Sequence, residues 1–297
     1  MKKDAIAHRS GEVHPAKSEF KRIARVFIKR KLAIIGMIVV IFIILVAFCA
    51  PLLAPYNPYK VDVSQKLQSP SWQHLLGTDT LGRDTLSRII YGSRTSLMVG
   101  LFAIAIAAII GQPLGLIAAF FGGKTHSVIM RLIDALMSIP MILSALVIGT
   151  LLGGGLKNVI IALGIGMIAV HARIMCAQAL TIMQNDYILA AKSLGASNLR
   201  IMLRHVLPNS FPPLLVLVTI EMGICILAEA GLSFLGLGIA PPGAAWGSMV
   251  SDGYAYLTTH PILSFAPGLA IMLVVFAFNM VGDGLRDALD PRLRGTL

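Results

Sequence analysis

Two acidic residues, Glu221 and Glu229, stand inside an otherwise uncharged apolar stretch, about two helical turns apart. An acid in such a stretch is costly to bury and faces either a polar partner or a wet cavity. Glu221, near the middle, reads either as lining a route for a cationic or zwitterionic solute or as one end of a buried hydrogen bond. Glu229 lies about two turns on, nearer the external end. A proton relay through both acids would be the chemistry of an ion-coupled secondary transporter. Other reactive residue types do not assemble. Cys49, Cys176 and Cys225 make neither a paired-cysteine metal pattern nor an even-numbered disulfide set. His171 and Arg173 sit near the end of an apolar run and read as interfacial. Gly123-Lys124-Thr125 has the ending of a phosphate-binding loop, but Ala118 stands where its first glycine belongs, and an apolar run rather than a strand precedes it. No catalytic residue, metal site or ATP site is therefore expected in this chain.

The elements that position these residues follow from composition. Of 297 residues, 56% are hydrophobic and 13% charged, about half the charge of a soluble domain. Disorder, a collagen-like fibre and a disulfide-stapled domain are excluded, and a polytopic membrane protein remains. Six apolar stretches are long enough to span a ~30 Å hydrocarbon core: 32–53, 97–121, 132–152, 159–176, 213–234 and 262–281. They are continuous rather than alternating, so they are helices and not barrel strands. The fold class is all-α.

The net charge of +11 gives the orientation. Residues 1–31 hold ten Lys or Arg and three acids, after which no charge occurs until Lys60. With six spans and the N-terminus inside, 19 of the 25 basic residues are cytoplasmic; deleting the fourth span leaves only 12 inside. Because Lys and Arg resist translocation, six spans with both termini cytoplasmic are favoured. No basic patch with stacking aromatics recurs elsewhere, so nucleic acid is not an expected partner. Before the first span, Phe20, Ile23, Ala24 and Phe27 recur at helical spacing among Lys21, Arg22, Arg25 and Lys29, predicting a basic amphipathic helix on the lipid surface. The resulting organisation is a cytoplasmic tail at 1–31, a first span at 32–54, an external segment at 55–94, a five-helix core at 95–285 and a tail at 286–297. Gly111–Gly115 and Gly149–Gly153 each fit Gly-x-x-x-Gly, a close-packing pattern that also arises often by chance in glycine-rich spans.

Between spans four and five, 185–209 is cytoplasmic and unusually structured. Asn185 or Asp186 is placed to cap a helix through Leu194. Gly195 supplies a left-handed stop, Ser197 caps a second helix, and Pro208 is expected to end it. Ala190 and Ala191 are small enough to permit close approach to another surface, and Arg200 and Arg204 share one face of the second helix. The pair suits a docking element or an interfacial helix pair touching lipid.

Tyr187 through Asn209, with Ala190, Ala191, Gly195 and Pro208 in register, resembles the cytoplasmic signature loop of ABC-importer permeases; Leu189 stands where that family has Glu. Leu76-Gly-Thr-Asp-Thr-Leu-Gly-Arg-Asp-Thr-Leu-Ser-Arg88 with Tyr91-Gly92 resembles the external motif of dipeptide, oligopeptide and nickel importer permeases. So do Leu232-Ser-Phe-Leu-Gly-Leu-Gly238, Pro241-Pro242, Trp246-Gly247 and 279–291, and the pattern is that of the second, C-type permease. The resemblance implies a type I importer permease fold in an inner membrane and a function in carrying di- or oligopeptides, with nickel, a metal chelate or glutathione as the alternative cargo. It implies a second permease, two ATPases that hold Mg and ATP, and an external binding protein as partners. It assigns ATPase coupling to Ala190, Ala191, Gly195, Arg200, Arg204 and Pro208, and structural roles to Asp79, Gly82, Arg83, Asp84, Glu229, Trp246 and Asp283.

Overall fold

The structure is a computed structural model that describes residues 16–289, with side chains from residue 22; the side chains of Phe20 and Lys21 and the tail beyond 289 lie outside what is described. Among them there is no strand, and twelve helices follow in order: α1 (Ala16–Lys29), α2 (Lys31–Phe48), α3 (Ala50–Leu53), α4 (Thr85–Phe121), α5 (Gly123–Met137), α6 (Met141–Leu152), α7 (Leu156–Met183), α8 (Asp186–Ser193), α9 (Asn198–Ile201), α10 (Leu207–Phe234), α11 (Trp246–Tyr254) and α12 (Ile262–Leu289). Helices α2, α4, α7, α10 and α12 are each long and apolar enough to cross a membrane, and the bent pair of α5 and α6 makes a sixth crossing when it is counted as one span.

That sixth crossing corrects the sequence reading. The stretch 132–152 is not one straight span: α5 and α6 meet at 84° across Ser138, Ile139 and Pro140. Pro140 lacks an N–H to continue the ladder, its ring clashes with the carbonyl four residues back, and it biases the preceding residue away from helix. The remaining twelve residues of α6 reach only about 18 Å, short of a full crossing. The first span is likewise shorter than expected, ending at Phe48 with a separate turn at α3 that carries Pro51 in its first positions.

The core is held by helices in backbone contact. A Cβ at Gly115 would meet the Ala172 carbonyl oxygen at 2.1 Å and one at Gly111 would meet that of Ile168 at 2.5 Å, so α4 and α7 touch through their main chains. The first Gly-x-x-x-Gly pair is thus a packing device. The second is not, since a Cβ at Gly149 or Gly153 would meet nothing within 4 Å. Val99, Ala103, Ala107, Leu163 and Cys225 fill the centre between α4, α7 and α10. On the other flank α2 packs on α12, Phe27 of α1 lies beside Gly284, and Arg30 pairs with Asp287 at 2.8 Å.

Candidate functional site

Three groups of residues carry the features picked out from sequence: a cytoplasmic helix pair, a pair of buried acids and an external clamp.

In the cytoplasmic pair α8 ends at Ser193 with Leu194 as its cap, and Gly195 follows at φ +81°, the left-handed conformation a side chain resists. The Ala196 N–H returns to the Ala191 carbonyl at 3.0 Å, closing the helix end. Ser197 caps α9 through its hydroxyl to Arg200 N at 3.4 Å. Asn185 occupies the cap position of α8 but donates its amide backwards, to Ile182 O at 2.8 Å, rather than capping. Ile188, Ile201 and Val206 are fully buried and fasten the segment to the core, with Leu116, Ala179 and Met175 beneath them. The opposite side is bare: Leu194 is 87% exposed, and Leu189, Leu199, Leu203, Tyr187, Ala190, Arg200 and Arg204 are exposed with it.

Pro208 does not end the second helix, which is a correction. The chain stays helical from Asn198 to Phe234. Residues 202–206 open into a single π turn, with Leu207 N donating to Met202 O five residues back. The wider turn makes room for a ring that would clash with the carbonyl four residues earlier. Asn209 Nδ2 donates to His205 O at 2.6 Å and Ser210 Oγ to Val206 O at 2.9 Å, so side chains serve carbonyls around the break. From α9 onward the segment is therefore a continuous extension of the fifth span, while Gly195 sets α8 apart from it.

Glu221 is 4% exposed, and its Oε2 lies 2.6 Å from His171 Nε2 on α7. The contact is off the line of a proper hydrogen bond, and His171 Nδ1 has no partner among the described residues. His171 is wholly buried rather than interfacial, because Gly111 leaves room for it where α4 crosses α7. Glu229 is also wholly buried; it accepts from Ser233 Oγ at 2.6 Å and Ser96 Oγ at 3.5 Å. The two acids hold different partners, and no hydrogen bond links them. Arg173 sits a half-turn from His171 and pairs with Asp134 on α5.

Outside, the motif residues form one fastening. Asp79 accepts from Leu81 N and Arg83 N at 2.9 Å each and from Arg83 Nε at 2.6 Å, with Arg88 Nε at 3.5 Å. Asp84 caps α4, accepting from Ser87 N at 2.8 Å and Ser87 Oγ at 2.6 Å, and its other oxygen meets His74 Nδ1 at 2.9 Å. Gly82 turns at φ +73° where a Cβ would strike Asp62 O at 1.7 Å. Arg88 reaches across to Pro58 O, Pro242 O and Gly243 O at 3.2–3.4 Å, and Trp246 Nε1 donates to Ile89 O at 2.9 Å with its ring over Gly92. The external segment and the 236–246 loop are thereby tied to the outer end of α4. Asp283 is apart from this cluster, exposed on α12. His74 and Arg88 were not singled out by the sequence reading, although Arg88 lies in the motif that was; nothing in a single sequence marks which polar residues in an external loop become buried.

A helical bundle long and apolar enough to cross a membrane, with a structured loop laid bare on the cytoplasmic side and a clamped external loop, is that of a multi-pass membrane protein. The chain belongs to the family of binding-protein-dependent transport system inner membrane components, whose model matches residues 111–295; a second model, the N-terminal TM domain of oligopeptide transport permease C, matches residues 18–70. It is 42% identical to the dipeptide transport system permease protein DppC of Alkalihalophilus pseudofirmus, over 95% of this chain and 91% of that one. It is 41% identical to the di/tripeptide transport system permease protein DppC of Pseudomonas aeruginosa, over 93% of each. The glutathione transport system permease protein GsiD of Escherichia coli is 42% identical over 91% of this chain and 90% of its own. Among solved structures, the methionine ABC transporter MetNI in an inward-facing conformation superposes with a TM-score of 0.58 at 19% identity, covering 68% of this chain and 97% of that one, which shows a shared fold.

Proposed function

We propose that this chain is one of two permease subunits in an ATP-driven importer of short peptides, supplied by an external binding protein and driven by two ATPases that carry Mg and ATP. The observation that carries the reading is the docking segment. Leu189, Leu194, Leu199 and Leu203 project from a segment whose other side is fastened to the core, and burying one leucine side chain is worth about 1.5–3 kcal/mol. Arg200 and Arg204 flank them without an ion-pair partner among the described residues. An apolar patch edged by basic groups suits an acidic-rimmed groove on a cytoplasmic ATPase, and Ala190, Ala191, Gly195 and Pro208 shape it. Because α9 continues into α10, displacement of the segment passes directly to a span as a rigid lever.

Short peptides are the cargo class favoured by the relatives named for dipeptides and di/tripeptides. Glutathione, itself a tripeptide, is the second reading, carried by the relative named for it. The test is to purify the chain with whatever subunits accompany it, reconstitute the assembly in vesicles and follow labelled dipeptide and glutathione uptake. Uptake should require ATP on the cytoplasmic side together with the external protein. Uptake by this chain alone under a proton gradient would instead establish a secondary transporter working through Glu221 and Glu229.

A further inference from the structure

On the external side the 236–243 loop, the start of α7 and α11 enclose an open cavity of about 270 Å³, lined among others by Arg83, Arg88, Ser248, Ser251 and Asp252. Its charged groups are unevenly committed. Arg88 spends its guanidinium on Asp79 and three carbonyls, and Ser248 and Ser251 donate to Ala245 O and Phe234 O. Arg83 uses only Nε, on Asp79, so its two terminal nitrogens have no acceptor among the described residues. Asp252 has neither an ion pair nor a hydrogen bond among them, although both arginines are near enough to pull its carboxyl down against the stronger upward push of burial. A free guanidinium fork and a free carboxylate thus line the same cavity without meeting. Had charge neutralisation been their only role, direct contact would serve it better than a gap between them.

We infer that this cavity is a landing site for a small zwitterion, whose carboxylate meets the Arg83 fork and whose ammonium meets Asp252. The cavity volume lies just below the usual range of small-molecule sites and suits a dipeptide rather than a longer chain. The inference rests on the peptide-import reading for its choice of zwitterion, but its test does not need transport.

The test places a reporter thiol at Ala240, an exposed residue of the cavity rim, in the intact assembly. Cys49→Ala removes the one half-exposed native thiol, since Cys176 and Cys225 are buried. Labelling of Ala240→Cys by a neutral maleimide is followed with no external binding protein present. L-alanyl-L-alanine should protect the thiol. Its N-acetyl and C-amide forms should need about tenfold higher concentration, the ratio expected for losing one charge-assisted hydrogen bond. In Asp252→Asn the free dipeptide should weaken to the level of the N-acetyl form, while N-acetyl-alanyl-alanine is unaffected. No protection, equal protection by all three compounds, or protection unchanged by Asp252→Asn would each overturn the site. Failure here with ATP-driven dipeptide uptake intact removes the cavity and leaves the importer reading standing. Protection without any peptide uptake does the reverse.

Discussion

His171 Nε2 on α7 stands 2.6 Å from Glu221 Oε2 on α10, and the two side chains are 0% and 6% exposed. Fifty residues of sequence separate them, and their contact joins the fourth span to the fifth at depth. Glu221 is thereby engaged with a partner inside the chain. Removing one member strands the other in an apolar site, so Glu221→Leu and His171→Leu should each destabilise by about 3–5 kcal/mol, while the double Leu variant should recover most of that loss. Thermal unfolding of the purified subunit in detergent provides the cycle. Uptake per folded complex should be unchanged in Glu221→Gln. A lowered uptake at unchanged melting temperature would place Glu221 on the solute route.

Gly195 is the pivot between α8 and α9. A Cβ there meets nothing within 4 Å, so Gly195→Ala suffers only the left-handed backbone, about 1–2 kcal/mol, and should retain part of its uptake. Proline cannot adopt φ +81° at all. Gly195→Pro, or deletion of 190–195, should abolish ATP-driven uptake while membrane insertion, read by protease protection of the external segment, stays normal. Normal uptake in both would refute the docking assignment.

Gly115 and Gly149 give a matched pair. Gly115→Ala forces α4 away from the Ala172 carbonyl and should cost about 1–3 kcal/mol by overpacking. Gly149→Ala enters open space and should leave the melting temperature near wild type or raise it slightly, since alanine favours helix by up to about 1 kcal/mol.

Asp84 does two jobs that substitutions can separate. Asp84→Asn keeps an oxygen to cap α4 and should lose little of that term. Asp84→Ala loses the cap, about 0.5–2 kcal/mol, and leaves His74 Nδ1 buried without its partner. Proteolysis of the 55–84 segment in the folded protein should accelerate for Asp84→Ala and hardly change for Asp84→Asn.

The spans were legible because their signal is additive: a run of twenty apolar residues declares itself, and the positive-inside bias fixes its direction. Gly195 and Ser197 were legible because helix ends use few residue types. What escaped was set by neighbours distant in sequence. His171 read as interfacial since only the fold reveals that Gly111 opens a space for it beside Glu221. Pro140 and Pro208 are the same residue type with opposite outcomes. At Pro140 the chain breaks and turns by 84°; at Pro208 a π turn absorbs the ring and the helix continues, because Ile201 and Val206 are packed on both sides of the turn and hold the segment in line. The glutamates were noticed by type, and Ser233 lies one helical turn from Glu229 on α10, but His171 and Ser96 lie on α7 and α4, which pattern alone does not bring to them.

The π turn at 202–206 also fixes an angle. A helix turns through about 100° per residue, so the residue absorbed by the wide turn shifts the phase of the sequence beyond it by that amount while the two flanking helices stay in line. Leu199 and Arg200 upstream and Glu221 downstream therefore sit like two cams keyed to one shaft, their relative phase set by a single supernumerary residue. Deleting Leu203, an exposed side chain within the turn, would leave that shaft keyed as before: Leu207 N–H then lies four residues from Met202 O, the helix closes into regular α geometry, and the docking face keeps its bearing. Such a variant should insert, fold and keep ATP-driven uptake, whereas removing the exposed Phe211 as well leaves no wide turn to absorb the loss, swings the face by about 100° and should abolish uptake.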